Sequence, residues 1–251
     1  MDSTAALPAP PSTIDLATRR RAEILTGAVR VISRDGVAAA KLKDIARESG
    51  VSLGLIQHYF DTRENLVDAT FTVMMRVISH ESALRAEAID DPLQMIYAMN
   101  RLHVFGTVDF PERWGFWSEL WAASGRSGHL REVATQVYRI WAEPLRTALK
   151  QLADDGRLPV GSTPQHLNTG LLALMDGLSI RTLAEPELVS AEMMLQILDE
   201  WITAQLNVTP AEAEHLVTDL VERDVLARPR PLTPEVVAGA LLSMTSTDEQ
   251  E

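Results

Sequence analysis

Residues 41–60, KLKDIARESGVSLGLIQHYF, restrict the fold more than any other part of this sequence. Ile45 and Ala46 fall on one face of a short helix, Gly50 comes four residues after Ala46, and Val51 and Ile56 resume the apolar pattern beyond it. A helix-turn-helix needs this arrangement. The small Ala46 lets a second helix approach, and Gly50 takes the positive φ that other residues adopt only at a cost. Ser52 is placed to cap the second helix and to aim its free N–H groups at a phosphate. Gly54, in the first turn, leaves out a side chain where backbone would come close to DNA. By itself the spacing also fits three small core helices with a glycine cap.

The rest of the chain reads as helix. Apolar positions recur at three and four residues, and no hairpin signal separates alternating runs. Residues 14–34 form one such segment, stopped by Gly36. Short helices are expected at about 43–49 and 53–59, then a long one over 62–88 with Thr62 as N-cap and Glu64 in its first turn. Asp91-Pro92, Pro111, Ser124-Gly125, Gly156 through Pro164, Pro186 and Thr209-Pro210 divide the remainder into roughly six more helices. Pro144 lies inside a helical pattern, where a kink or break is expected. The fold class is all-α: an N-terminal three-helix helix-turn-helix domain and a larger helical bundle.

Charge is unevenly spread. The whole chain carries -12, yet residues 13–65 hold nine basic and seven acidic side chains, a local +2, while residues 66–251 carry -13. Only the head suits a polyanion. The absence of cysteine excludes disulfides, thiolate zinc sites and a thiol nucleophile. The longest apolar run, 236–244, is too short to span a membrane. Residues 1–12 are Ala/Pro-rich, unlike a signal peptide, and are expected to be a disordered arm of a cytoplasmic protein.

Residues 18–66, from TRRRAEIL to DTRENL, closely resemble the DNA-binding domain of TetR-family transcriptional regulators. QHYFDTRENL and the later FWSELW, LREVATQVYRIW and GLLALMDGLSIR look most like the choline-responsive BetI branch. The resemblance places Lys43 where the helix before the turn offers a basic side chain to DNA. It puts Ser52, Leu53, Gly54, Leu55, Gln57, His58 and Tyr59 on or beside the recognition helix, and Arg63 at a phosphate-contacting position. Leu53 replaces a frequent Lys or Arg, and Gln57 a frequent Tyr; the Gln57 amide can pair with adenine N6/N7. Arg19, Arg20 and Arg21 are either a solvated helix end or a reach toward phosphates.

Trp114, Trp117 and Trp121 share one helical face, and Tyr138 and Trp141 form a second pair. With Met74, Ile78, Met99 and His103 they make either plain core or the wall of a ligand cavity, where the resemblance puts the effector. Aromatic faces beside Glu119 or Asp176 suit a cation such as choline; aromatic walls would serve a flat neutral molecule as well. Gly170, Leu171, Leu174, Gly177 and Leu178, together with the later Met194, Leu198 and Trp201, form small and apolar stripes that fit a dimer interface or internal packing. Residues 207–251, past the family's usual end, read as helices at about 210–226 and 234–244 joined by a turn-forming ARPRPLTP. They either extend the dimer interface or cover the body.

No histidine spacing or nucleophile motif supports catalysis, so no catalytic or metal residues and no cofactor are expected. The expected organisation is an arm (1–12), a DNA-binding head (13–61), a ligand-binding and dimerisation domain (62–206) and a C-terminal extension (207–251). The expected function is a homodimeric, effector-released repressor of a palindromic double-stranded DNA operator, with no membrane partner. An all-α small-molecule enzyme and a ligand-independent DNA-binding protein are the alternatives.

Overall fold

A computed structural model describes residues 14–110, 113–223 and 229–248. The expected arm, 1–12, lies outside them. Among the described residues there are eleven helices and one two-stranded pairing. The head consists of α1 (Leu16–Ala39), α2 (Leu42–Ser49) and α3 (Leu53–Phe60), and the long α4 (Arg63–Ala86) leads away from it. Next come α5 (Pro92–Phe105), β1 (Val108–Asp109), α6 (Arg113–Ser124), α7 (Gly128–Asp154), α8 (Pro164–Ala184) and α9 (Ala191–Leu206). The chain finishes with α10 (Pro210–Glu222), β2 (Arg230–Pro231) and α11 (Pro234–Asp248). No helix among the described residues is long and apolar enough to cross a membrane.

Side-chain caps set most helix starts. Asp15, Ser52, Thr62, Asp91, Ser127, Thr163, Ser190 and Thr209 each accept the N–H three residues ahead. Each such cap contributes about 1 kcal/mol. Gly36 (φ 77°) breaks the regular course of α1, as expected of a glycine there, and one more turn succeeds it. Pro144 does not end its helix: α7 continues through it. The flanks are held independently, because Leu130, Val133 and Val137 pack into one core and Leu145, Leu149 and Leu152 into another.

The first core joins the head to α4, α6, the first half of α7 and α11. The second gathers α5, the end of α7, α8, α9 and α10. The C-terminal segment therefore does more than cover the body, since α11 lies against α1 and α4. The proline-rich link before it is no simple turn. Its described part, β2, runs parallel to β1 with Val108 opposite Arg230 and Asp109 opposite Pro231.

The expected dimer stripes need correction. Leu171, Leu178, Met194 and Leu198 are buried in the chain's own second core. Gly170 is small for an internal reason, as a Cβ there would stand 3.3 Å from the Trp201 ring. Leu174 is half-buried against the same core, while Gly177 points into open space. The helical period is right, but the register turns the bulky stripe inward.

Candidate functional site

The first candidate surface is built by the head. Gly50 takes the left-handed conformation at the end of α2 (φ 66°, ψ 27°), and its N–H returns to the Ala46 and Arg47 carbonyls. Ser52 Oγ accepts the Leu55 N–H at 3.2 Å and starts α3. Ile56 and Phe60 anchor α3 in the core, which turns Leu53, Gly54, Gln57 and His58 outward. Leu53 is 42% exposed and presents an apolar surface on this face. Lys43 and Ser52 are exposed beside this face, and Leu55 is half-buried. Gln57 offers its amide to solvent, as required of a base-reading side chain.

Two expected contacts sit differently. Tyr59 is half-buried against the first core, its ring edge-on to His58 at 5.2 Å. Arg63 turns back on its own chain: Nε donates to the Ala40 carbonyl at 2.7 Å and a terminal nitrogen to the Val37 carbonyl. It closes α4 onto the end of α1. Arg19 and Arg20 pair with Glu23, while Arg21 lies 5.4 Å from the centre of the Phe60 ring.

The second candidate is a cavity between β1, α6, α7 and α8, about 840 Å³ including its mouth. Of the expected lining residues, Ile78, His103, Trp114, Trp117, Trp121, Tyr138, Trp141 and Asp176 face it. Met74 and Met99 do not: each is buried in one of the two cores, away from the cavity. Residues that sequence reasoning missed include Gly106, Thr107, Val108 and Phe110 from the β1 segment, with Arg113, Met175 and Ser179. No periodicity marks so short a strand.

The walls are a ladder of rings. Trp117 and Trp121 stack at 6.4 Å, Trp121 and Tyr138 at 5.0 Å with planes 19° apart. At one end Tyr138 donates its hydroxyl to Asp176 Oδ2 at 2.6 Å. Burial pushes the Asp176 carboxyl above its ordinary range, against the hydrogen bond from Tyr138, and burial likewise raises the Tyr138 phenol. At the other end His103 lies between Trp114 (4.9 Å) and Trp141 (5.8 Å), with Nε2 3.1 Å from Ser179 Oγ. Burial, assisted by the charge of Arg113, pushes its pKa down to about 3, so the ring is neutral. Arg113 spreads over Trp114 at 4.1 Å and donates to the His103 and Val104 carbonyls that close α5; burial lowers its pKa to about 10. The Thr107 hydroxyl is buried without a hydrogen-bond partner.

Glu119, the other carboxylate expected beside the rings, faces away from them. It accepts the Val37 N–H at 2.7 Å just past the break in α1. A single helix, α6, thus presents Trp117 and Trp121 to the cavity and Glu119 to the head.

Two family models match separate stretches of the chain. A family model described as bacterial regulatory proteins of the tetR family matches residues 24–70, and one described as BetI-type transcriptional repressor, C-terminal, matches residues 92–207. The HTH-type transcriptional regulator BetI of Rhizobium meliloti is 26% identical over 190 residues, covering 75% of this chain and 90% of the relative. The BetI regulator of Ectopseudomonas mendocina is 27% identical over 196 residues, covering 75% and 94%. Among solved structures, a transcriptional regulator from Saccharomonospora viridis in complex with choline has the same fold. Its TM-score is 0.67 at 23% identity, over 72% of this chain and 94% of that one.

Proposed function

The chain belongs to the TetR family of bacterial transcriptional regulators and carries a C-terminal domain of the BetI type, and from that premise we propose that it is an effector-released repressor acting as a homodimer on a palindromic operator. In this reading residues 13–61 read DNA, residues 62–206 bind the effector and the second subunit, and 207–251 are an addition. Ser52, Gly54, Gln57 and His58, flanked by Lys43 and Leu53, meet the major groove and its phosphates, and Tyr59 holds the recognition helix from behind. Arg63 shapes the head by clasping α1 and makes no phosphate contact of its own.

The observation that carries the proposal is the two-sided α6. Its tryptophans form the wall of an aromatic cavity, and its Glu119 holds the backbone where α1 breaks. A molecule that reorients the rings must press on the helix that positions the head. If that molecule binds the non-operator conformation more tightly, it drains the DNA-bound population.

For the effector we propose a small organic cation, with choline as the first candidate. Asp176 supplies the counter-charge, and Trp117, Trp121, Tyr138 and Trp141 supply ring faces, each cation–π contact contributing about 0.5–2 kcal/mol. The choline-bound relative of the same fold supports this choice. The test is binding to short duplexes tiled across the upstream region of the gene, at two salt concentrations, with and without choline chloride. Saturable, salt-sensitive binding of two subunits at one palindromic tile, weakened by choline, is the expected result. Equal binding to all tiles by wild type and by a His58→Ala, Gln57→Ala double variant would remove the operator reading.

A further inference from the structure

The match to the BetI-type domain ends at residue 207, and beyond that point α10 packs against the body while α11 packs against the head. α10 is fixed to α5 by the Gln94 side-chain amide, which donates to Asp219 at 2.6 Å, and Arg223, just past α10, donates to the Ala88 carbonyl in the link before α5 at 2.6 Å. β2 then pairs with β1, as Arg230 N–H donates to the Thr107 carbonyl at 3.3 Å and Leu232 N–H to the Asp109 carbonyl at 2.9 Å. Thr107 and Val108 are cavity wall. Immediately beyond, Leu232 is buried, and Val237, Ala238 and Ala240 of α11 are buried in the core they share with α1 and α4.

We propose that the stretch from β2 to α11 is a strap: it carries displacement of the cavity wall to the head through α11, a route that does not pass through α6. The inference rests on reading that cavity as the sensor. Its physical basis is the lack of slack. Only Thr233 separates Leu232, whose N–H is bonded to β1, from Pro234, the first residue of α11. One residue spans about 3.5 Å when extended, so the link cannot absorb much movement. Pro229, Pro231 and Pro234 fix φ along the same stretch. Pro231 falls between the two bonded N–H groups, at a position where a missing donor costs the pairing nothing. A shift of β1 must therefore move the start of α11 or break the Leu232 bond, and α11 lies directly on α1.

A static cover over the head would have the same buried residues but would not need a stiff link. The two are separated by adding slack in the full-length chain, with Gly-Gly-Ser inserted between Leu232 and Thr233 so that both docking surfaces remain. The wall is displaced from within by Gly106→Ala, because Gly106 has φ 79° and a Cβ there would stand 2.8 Å from an Arg113 guanidinium nitrogen. Hydrogen–deuterium exchange is then measured in α1 and α11, without DNA or effector. With the native link, Gly106→Ala should speed exchange in both helices by about threefold or more, and the insertion should abolish that response while β1 still responds. An equal α1 response with and without the insertion, or none with the native link, overturns the strap. Should Gly106→Ala fail to fold, Val108→Ala provides the displacement and is read in the same way. Operator affinity of the wild-type chain is measured alongside; its absence would sink the repressor reading while leaving the exchange comparison intact.

Discussion

His103 and Asp176 show how one cavity holds two titratable groups for opposite ends. The imidazole is stripped of water between two indoles, and the nearby Arg113 charge makes a second positive charge costly, so it stays neutral with a pKa of about 3. In the unfolded chain the ring titrates near its ordinary value of 6.5. Between those two values the unfolded state binds a proton that the folded state refuses, so stability is present above pH 6.5 and is lost as pH falls toward 3. His103→Gln keeps a partner for Ser179 and removes the titration. Urea melts at pH 7 and pH 5 should show wild type losing more stability than His103→Gln, by up to about 1.4 kcal/mol per pH unit; equal losses would mean the ring is hydrated and free to protonate. Asp176 makes the complementary case. Asp176→Asn keeps the Tyr138 contact but removes the counter-charge, and calorimetry with choline should show affinity falling roughly tenfold, about 1.4 kcal/mol, with operator affinity unchanged. Unchanged choline affinity would point to an effector held by ring faces alone. Because burial raises the Asp176 pKa, choline affinity should also fall on acidification at a pH above the ordinary carboxylate range.

At the scale of elements, the contact between α1 and α2 sets the angle of the reading head. A Cβ on Gly27 would stand 2.1 Å from Ser49 Oγ and 3.1 Å from the Ser49 backbone nitrogen, so the helices meet with no room between them. Gly27→Ala should destabilise the head by about 1–3 kcal/mol despite the better helix propensity of Ala. Adding Ser49→Ala should recover part of that loss in thermal melts, and no recovery would place the strain in the backbone. Nothing in the sequence marks this close approach, whereas Ala46, Gly50 and Ser52 are legible, because a turn and a cap are local and leave a mark at fixed spacing. The same distinction runs through the cavity. The Trp114, Trp117 and Trp121 face follows from helical period, but the direction of Met74 and Met99 depends on which neighbour each helix meets. Arg63 and Glu119 have the chemistry of partners for a phosphate and a cation, yet both are committed to the backbone at Val37 and Ala40. The docking of α11 on α1 joins segments about two hundred residues apart, beyond the reach of any pattern in one sequence.

For the whole molecule, charge and area together argue for two heads. A body carrying -13 must stand away from the duplex, leaving contact to a head of +2 and one eight-residue recognition helix. A single small module buries roughly 600–1,000 Å², at the low end for specific DNA binding, and two such helices about 34 Å apart reach successive major grooves. With Leu171, Leu178, Met194 and Leu198 assigned inward, the dimer face we propose is the outer side of α8 and α9. There Met193 is 46% exposed, with Ala173, Gly177 and Ala184 exposed between apolar neighbours, while Ile180, 55% exposed, borders the cavity that it also lines. Gly177 stands clear of the monomer's own packing, since no other element comes within 4 Å of where its Cβ would be. An Arg at that position costs the monomer nothing and gains roughly 1 kcal/mol of helix propensity over Gly, but it sets a charge into any closely packed helix–helix contact between subunits. Gly177→Arg should therefore halve the mass in solution, leave the melting temperature of the monomer fold near or above its starting value, and weaken operator binding by about a hundredfold or more, because each head then binds alone. A variant that stays dimeric and binds normally would move the interface off α8 and α9.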